Sequence, residues 1–364
     1  MTTHAPALPV VDRRFVIPKI VYFCFFAAGS ALMPYLALYY NQIGLDARVI
    51  GLLAGIPPLV TLVAAPLWGG LADLTRRHRQ LLLVAMGGTV ITVLILSTTV
   101  HLYLIVPLVI LYAFFVAPIM PLVDNSVLVL LGKQKDLYGK QRVWGAIGWG
   151  CSAAAMGFVI SRMGLDLAFY GYALFMTLGL LAASRLRVSR ASISVPFVSG
   201  LRTLLVQRRW LVFLTAILTA GVAAGMYHSF LFLYLDSLGA STVLMGLSLV
   251  VATFSEIPVF FFSDRLLGRF GARGLLLIAM AAAAVRMFAY SVMIMPWQVI
   301  MINLLHGLTF SAMWAAGVAM GVAAAVGAML GGLLFESVGP QAMFRVGGYI
   351  VLLGLIFYLV AGRR

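Results

Sequence analysis

Apolar residues run through this chain in long blocks, not in the alternating or one-faced patterns of water-exposed strands and helices. Blocks of about 20 mostly apolar residues, each long enough to cross a hydrocarbon core of about 30 Å as a helix, recur approximately at 16–41, 47–71, 80–100, 104–131, 142–161, 165–184, 210–234, 243–263, 274–294, 297–318, 319–337 and 342–361. The pattern predicts an all-α membrane protein of about 12 transmembrane helices: an N-terminal bundle of six over 1–184, a basic connector over 185–209, and a C-terminal bundle of six over 210–364. The polar, basic opening segment is followed by an apolar run too long for a signal-peptide core, so that run reads as a first span and not as a cleaved leader.

One stretch breaks the rhythm. Between Val292 and Phe335 there is no Asp, Glu, Lys or Arg and no convincing loop, although the length suits two spans. Gly317, Gly321 and Gly327 would permit a tight hairpin, but the polar residues that normally mark one are missing. The loop between the tenth and eleventh helices is therefore expected to be shortened or missing.

Charge sharpens this picture. Arg76, Arg77 and Arg79 share one interhelical loop, and Lys133, Lys135 and Lys140 another. Arg185, Arg187, Arg190, Arg202, Arg208 and Arg209 fill the connector, and Arg265, Arg269 and Arg273 a fourth segment. The loops between these carry almost no Lys or Arg, which is the positive-inside asymmetry. It predicts a multi-pass protein of the cell inner membrane with both termini, including Arg363 and Arg364, in the cytoplasm. The net charge of +15 is accounted for by topology and does not call for nucleic acid. Phe197–Val206, after Pro196, reads as a short amphipathic helix on the membrane surface.

Composition excludes most other classes. The chain is 63% hydrophobic and 10% charged, against about 25% charged in a soluble domain. Cys24 and Cys151 both lie in apolar runs and read as buried packing thiols, with no disulfide framework or zinc spacing. No HExxH or GxSxG motif is present. The expectation is a non-enzyme without metal or cofactor, acting as a monomer in a lipid bilayer.

The few polar groups inside the runs carry the remaining information. An ionisable side chain at membrane depth costs about 2.5–3.5 kcal/mol on insertion scales, so it faces the protein interior and is paired or functional. Asp124, followed by Asn125, lies mid-run in the fourth helix, and Arg142 on the fifth is its obvious partner. Their pairing is either a structural tie or a recognition site for hydroxyl or carboxylate groups, for which the planar guanidinium fork is suited. Trp149 falls seven residues after Arg142 and so shares its face, either as packing or as a platform for a ring. Glu256, Arg286 and His306 fall in helices eight, nine and ten. Desolvation and a nearby cation act oppositely on a carboxylate, and histidine titrates near neutrality. The trio is either a satisfied polar cluster or a proton-loading site. His228, beside Tyr227, reads as a pore-lining hydrogen-bonding group. His78 and His101 lie at membrane edges.

Residues 69–79, Gly-Gly-Leu-Ala-Asp-Leu-Thr-Arg-Arg-His-Arg, resemble the loop signature of the major facilitator superfamily, with Gly69, Asp73, Arg76 and Arg77 in its roles and Arg76 where a glycine is usual. Asp264 and Arg265 form a weaker echo between helices eight and nine. The resemblance implies the major facilitator fold, a midplane site between two six-helix halves, and a conformational charge latch at these residues. Within that superfamily, Pro-Ile-Met-Pro-Leu-Val-Asp-Asn at 118–125 and Tyr-Gly-Lys-Gln-Arg-Val-Trp-Gly-Ala-Ile-Gly-Trp at 138–149 resemble the lactose permease family of oligosaccharide:proton symporters and its phenylpropionate permease-like branch. Val-Arg-Met at 285–287, Leu-Leu-His-Gly at 304–307 and Phe-Glu-Ser-Val-Gly-Pro-Gln-Ala at 335–342 extend the resemblance. It implies substrate binding by Asp124, Arg142 and Trp149, with Asn125 and His228 nearby, and proton coupling by Glu256, Arg286 and His306. The family's carboxylate one turn after the histidine is Thr309 here, so a proton site would have to be rebuilt around Glu256 or Asp124.

The reading this favours is proton-coupled symport of a small polar organic solute (a sugar, nucleoside or aromatic acid) by alternating access. A proton-coupled efflux antiporter of drugs or metabolites shares the fold and the loop signature but typically has a wider, more apolar site. A non-transporting sensor or scaffold would not need Asp124, Glu256, Arg286 and His306 inside the bilayer.

Overall fold

The computed structural model describes residues 15–134, 137–186, 207–313 and 317–361, without the side chains at 260, 263–264 and 310–319. The predicted spans appear among these residues as helices, with no strand among them: α1 Val16–Gln42, α2 Ala47–Thr75, α3 His78–Leu96, α4 Leu102–Leu131, α5 Tyr138–Met163 and α6 Leu167–Ala183, then α7 Arg208–Ser237, α8 Thr242–Phe261, α9 Ser263–Ser291, α10 in two pieces (Gln298–Asn303 and His306–Met313), α11 Gly317–Val338 and α12 Pro340–Ala361. Ten of them are long and apolar enough to cross a bilayer, while α6 and α10 are shorter apolar helices. The expected surface helix at 197–206 lies outside the described residues, as do most of the connector, Lys135 and Arg363–Arg364. The question of a shortened loop after α10 falls largely on residues 314–316, which are also outside them.

Local chemistry explains the irregularities. Pro34 interrupts α1 with one 3-10 turn at Met33–Tyr35, because proline removes a backbone donor and clashes with the preceding turn. Gly271, at φ 65°, breaks α9 and separates the basic segment holding Arg265 and Arg269 from the span proper. Arg76 ends α2 in the left-handed region at φ 59°, the one non-glycine with positive φ among the described residues. It occupies the place where the loop signature normally has glycine, at a cost of about 1–2 kcal/mol for an L-residue.

Within the first half, α1 packs against α5 and α6, and α4 against α2 and α3; in the second, α7 packs against α11 and α12, α9 against α12, and α8 against α10. The halves meet mainly through α2 with α11 and α5 with α8. Small residues allow this. A Cβ at Gly332 would strike the Ala47 carbonyl and one at Gly51 the Ala328 carbonyl, while Gly157 and Gly246 meet the backbones of Thr242 and Ala153. Two polar contacts flank these seams: the Thr242 hydroxyl donates to the Gly157 carbonyl (2.9 Å), and the Ala47 amide at the start of α2 donates to Glu336 Oε2 (3.1 Å).

The seams lie toward the end of the bundle that carries the α1–α2 and α7–α8 turns. Toward the other end, α2 keeps only a stripe of Ala64, Trp68 and Ala72 buried, Trp68 donating to the Phe114 carbonyl of α4 (3.0 Å). Gly69 and Gly70 have open space where a Cβ would stand. The backbone contacts between the halves are thus concentrated toward the end bearing the α1–α2 and α7–α8 turns.

Candidate functional site

Two polar clusters carry the candidate chemistry, one in each half. The first begins with the α1–α5 contact. Gly148 lets α5 rest on the Phe23 carbonyl, Gly145 accommodates Phe26, Trp149 packs over Gly29, and the Ser152 hydroxyl donates to the Ala27 carbonyl (2.7 Å). This lock fixes the rotation of α5, so that Arg142 reaches Asp124 on α4. Arg142 NH1 lies 3.3 Å from Asp124 Oδ1 and 3.4 Å from Oδ2, with the side chains 21% and 29% exposed. The guanidinium also lies over the Phe26 ring, 5.6 Å from its centroid. Tyr22 on α1, fully buried, donates its phenol to Asp124 Oδ1 at 2.6 Å. Asn125, the neighbour of Asp124 on α4, and Trp149, two helical turns after Arg142 on α5, are half-buried.

The second cluster is built by the break in α10. A Cβ at Gly307 would collide with the Ser255 carbonyl, and the Gly307 amide donates to Ser255 Oγ (2.8 Å). This backbone contact brings His306 against the next residue of α8: His306 Nε2 lies 3.2 Å from Glu256 Oε1, with both side chains largely buried. That distance is within hydrogen-bonding range when one of the two groups carries a proton.

Arg286, 3% exposed, is held by neutral partners. It donates to Thr309 Oγ1 (2.8 Å), Tyr290 Oη (2.9 Å) and Asn303 Oδ1 (3.2 Å), and lies 4.7 Å from the Tyr227 ring centroid. Tyr290 donates to Asn303 at 2.6 Å, and Asn303 donates to the Ser248 carbonyl (3.0 Å), tying α8, α9 and α10 together. Thr309, standing where the resembling family has a carboxylate, is the hydroxyl acceptor for the arginine. His228 is exposed and packs its ring 4.0 Å from that of Tyr227. The structure therefore joins Asp124 with Arg142 and Glu256 with His306, and gives Arg286 to Thr309, Tyr290 and Asn303.

The clusters approach each other across α5 and α8. Gly150, next to Trp149, has Thr253 in van der Waals range of its Cβ position, and Glu256 follows Thr253 by about one helical turn. Four residues that sequence reasoning passed over belong to the clusters: Tyr22, Tyr227, Tyr290 and Asn303. Asn303, three residues before His306 on a short apolar helix, was the one with a legible signal, because a buried amide needs partners.

The expected latch residues make local contacts. Asp73 Oδ1 lies 3.4 Å from Nε2 of His78, which stands at the membrane-edge start of α3 and is buried there. Arg79 donates to the Ser184 carbonyl at the end of α6. Arg77 is exposed, and Arg265 lies over Phe262. The side chain of Asp264 lies outside the described residues. Cys24 is buried, but Cys151 is exposed and is not the packing thiol expected from its apolar run.

The family model named MFS_1 like family matches residues 15–320. A maltose permease of Geobacillus stearothermophilus is 32% identical over 301 residues, covering 81% of this chain and 75% of its own. A probable 3-phenylpropionic acid transporter of Escherichia coli is 27% identical over 303 residues, covering 80% of this chain and 77% of its own. Among solved structures, the nucleoside transporter NupG superposes with a TM-score of 0.83 at 15% identity, over 97% of this chain and all of NupG. A bacterial homologue of the lysosomal transporter Spinster, in an inward-facing state, gives 0.73 at 13% identity. At these identities the structural likeness speaks for the fold alone.

Proposed function

Because the chain belongs to the MFS_1-like family and is a multi-pass membrane transporter of the major facilitator type, we propose that it carries a small hydroxylated solute of the sugar class, in symport with a proton, by alternating access. The observation that carries this reading is the pairing of Asp124 and Arg142 among the membrane-spanning helices of the first half. It presents carboxylate acceptors and guanidinium donors together, as a polyol requires, with the half-buried ring of Trp149 two helical turns along α5 from Arg142. The maltose permease relative points to the same class.

The proton site is Glu256 with His306, whose contact depends on α8 and α10 staying in register. Because Glu256 belongs to the second half and lies near α5 of the first, rocking of the halves would change its access to water. Asp124 is occupied by Tyr22 and Arg142 and serves in binding. The basic loops set the cytoplasmic side, which puts the glycine seams on the outer side; halves held together there correspond to the inward-facing state. Asp73 and Arg77 would be latch residues in the opposite state.

Two measurements test this reading. Proteoliposome uptake of maltose, a nucleoside and 3-phenylpropionate, with and without an inward proton gradient, should show gradient-driven accumulation of the sugar. Accumulation of 3-phenylpropionate alone would transfer the assignment to an aromatic acid, and no gradient effect would remove the coupling. In whole cells, with Cys24 and Cys151 replaced by serine, an impermeant maleimide should label Asp166→Cys from outside and leave Arg77→Cys unlabelled. Labelling at position 77 would invert the orientation.

A further inference from the structure

Asp124 is held more closely by α1 than by its ionic partner. The Tyr22 phenol stands 2.6 Å from Oδ1, whereas the nearest guanidinium nitrogen of Arg142 is 3.3 Å away and spans both oxygens from a single nitrogen. Tyr22 is fully buried, and the residues that follow it on α1 are locked onto α5 by Gly145, Gly148 and the Ser152 hydrogen bond. Its hydroxyl is therefore a fixed point in the first half, and the carboxylate of a half-exposed aspartate is aimed from it.

We propose that Tyr22 is a positioning residue for substrate selection. By donating to Oδ1 it fixes the side-chain angle of Asp124, and with it the direction in which the carboxylate is offered to a hydrogen-bond donor on the solute. The chemistry selected is a donor such as a hydroxyl, because an ionised carboxylate only accepts and a second carboxylate brought to it would be repelled. This inference rests on Asp124 and Arg142 forming the substrate site, and it adds the group that sets their geometry. Removing the phenol frees the carboxylate to rotate away from this direction while leaving the aromatic ring in place in the helix packing.

The test is Tyr22→Phe, alone and in an Asp124→Asn background, with labelled maltose and 3-phenylpropionate as probes. The expected result is a rise of tenfold or more in Kd for maltose, with the maximal transport rate changed less than threefold, thermal unfolding in detergent unchanged within a few degrees, and no further loss when Tyr22→Phe is added to Asp124→Asn. Equal losses in both backgrounds would show that Tyr22 does not act through Asp124 and would overturn the proposal. An independent arm needs no ligand. Isotope-edited infrared spectra, differenced against Asp124→Asn, should show the Asp124 carboxylate band shifted in Tyr22→Phe. An unshifted band overturns the proposal even if neither probe binds the wild-type protein, an outcome that would count separately against the sugar reading.

Discussion

The double replacement Asp124→Asn with Arg142→Gln is expected to fold and insert normally yet bind no substrate, and each single replacement should be the less stable protein. Either charge left alone at this depth loses its partner, and breaking a buried pair costs about 3–5 kcal/mol. With side chains 21% and 29% exposed, the lower end of that range applies, about 3 kcal/mol. The Asp124→Asn single also weakens the acceptor of the short Tyr22 bond, so it should be the more damaging of the two. The double variant removes both charges and recovers most of the lost stability. Recognition does not recover, because neither amide replaces the charged acceptor and the guanidinium donors together, and affinity should fall by at least a hundredfold in all three proteins. Thermal unfolding and equilibrium binding on the three variants separate the roles. Restored binding in the double variant would leave the pair a structural tie and nothing more.

Glu256→Gln should abolish gradient-driven accumulation while leaving exchange of internal for external solute at a substantial fraction of the wild-type rate. A driving force of 100 mV is worth about 2.3 kcal/mol per charge moved, which sustains about a 50-fold concentration ratio for one proton per solute. A glutamine at this position keeps the shape and can hydrogen-bond to His306 at 3.2 Å, but it neither gains nor loses a proton, so the ratio should collapse to about one. Exchange needs only reorientation of the loaded carrier and no net change of protonation. The comparison is made in the same proteoliposomes, with counterflow run in the absence of a gradient. Accumulation at the wild-type ratio would remove Glu256 from coupling.

The helices were legible because the bilayer leaves a chain few options: each crossing must satisfy its own backbone hydrogen bonds, and the hydrocarbon thickness sets its length. The pairing of Asp124 with Arg142 was legible for a related reason, since a lone charge in that setting is expensive. What stayed hidden depends on helix rotation and on neutral groups. Tyr22 is one of 14 tyrosines, and only the seating of α1 on α5 turns its hydroxyl toward Asp124. Arg286 read as a partner for the neighbouring ionisable residues, but it donates to Thr309, Tyr290 and Asn303, whose polarity costs little to bury and therefore stands out little in a sequence. The gap within α10 was invisible because Leu304 and Leu305 are as apolar as the helical pieces on either side. Yet that gap, with Gly307, seats His306 against Glu256.

The glycine seams at Gly51 with Gly332 and Gly157 with Gly246 would also serve as insulation in a proton-coupled carrier. Where two helix backbones touch, with a carbonyl lying where a side chain would begin, there is little room for a file of water molecules, and without such a file protons have no relay to hop along. A carrier that draws on an ion gradient short-circuits its own supply if its shut face leaks. Protein–protein contact at backbone range provides electrical tightness that interdigitated side chains, with their transient voids, do not. Any residue larger than glycine at these four positions should therefore show itself first as proton leak in the absence of solute, before transport of the solute itself is impaired.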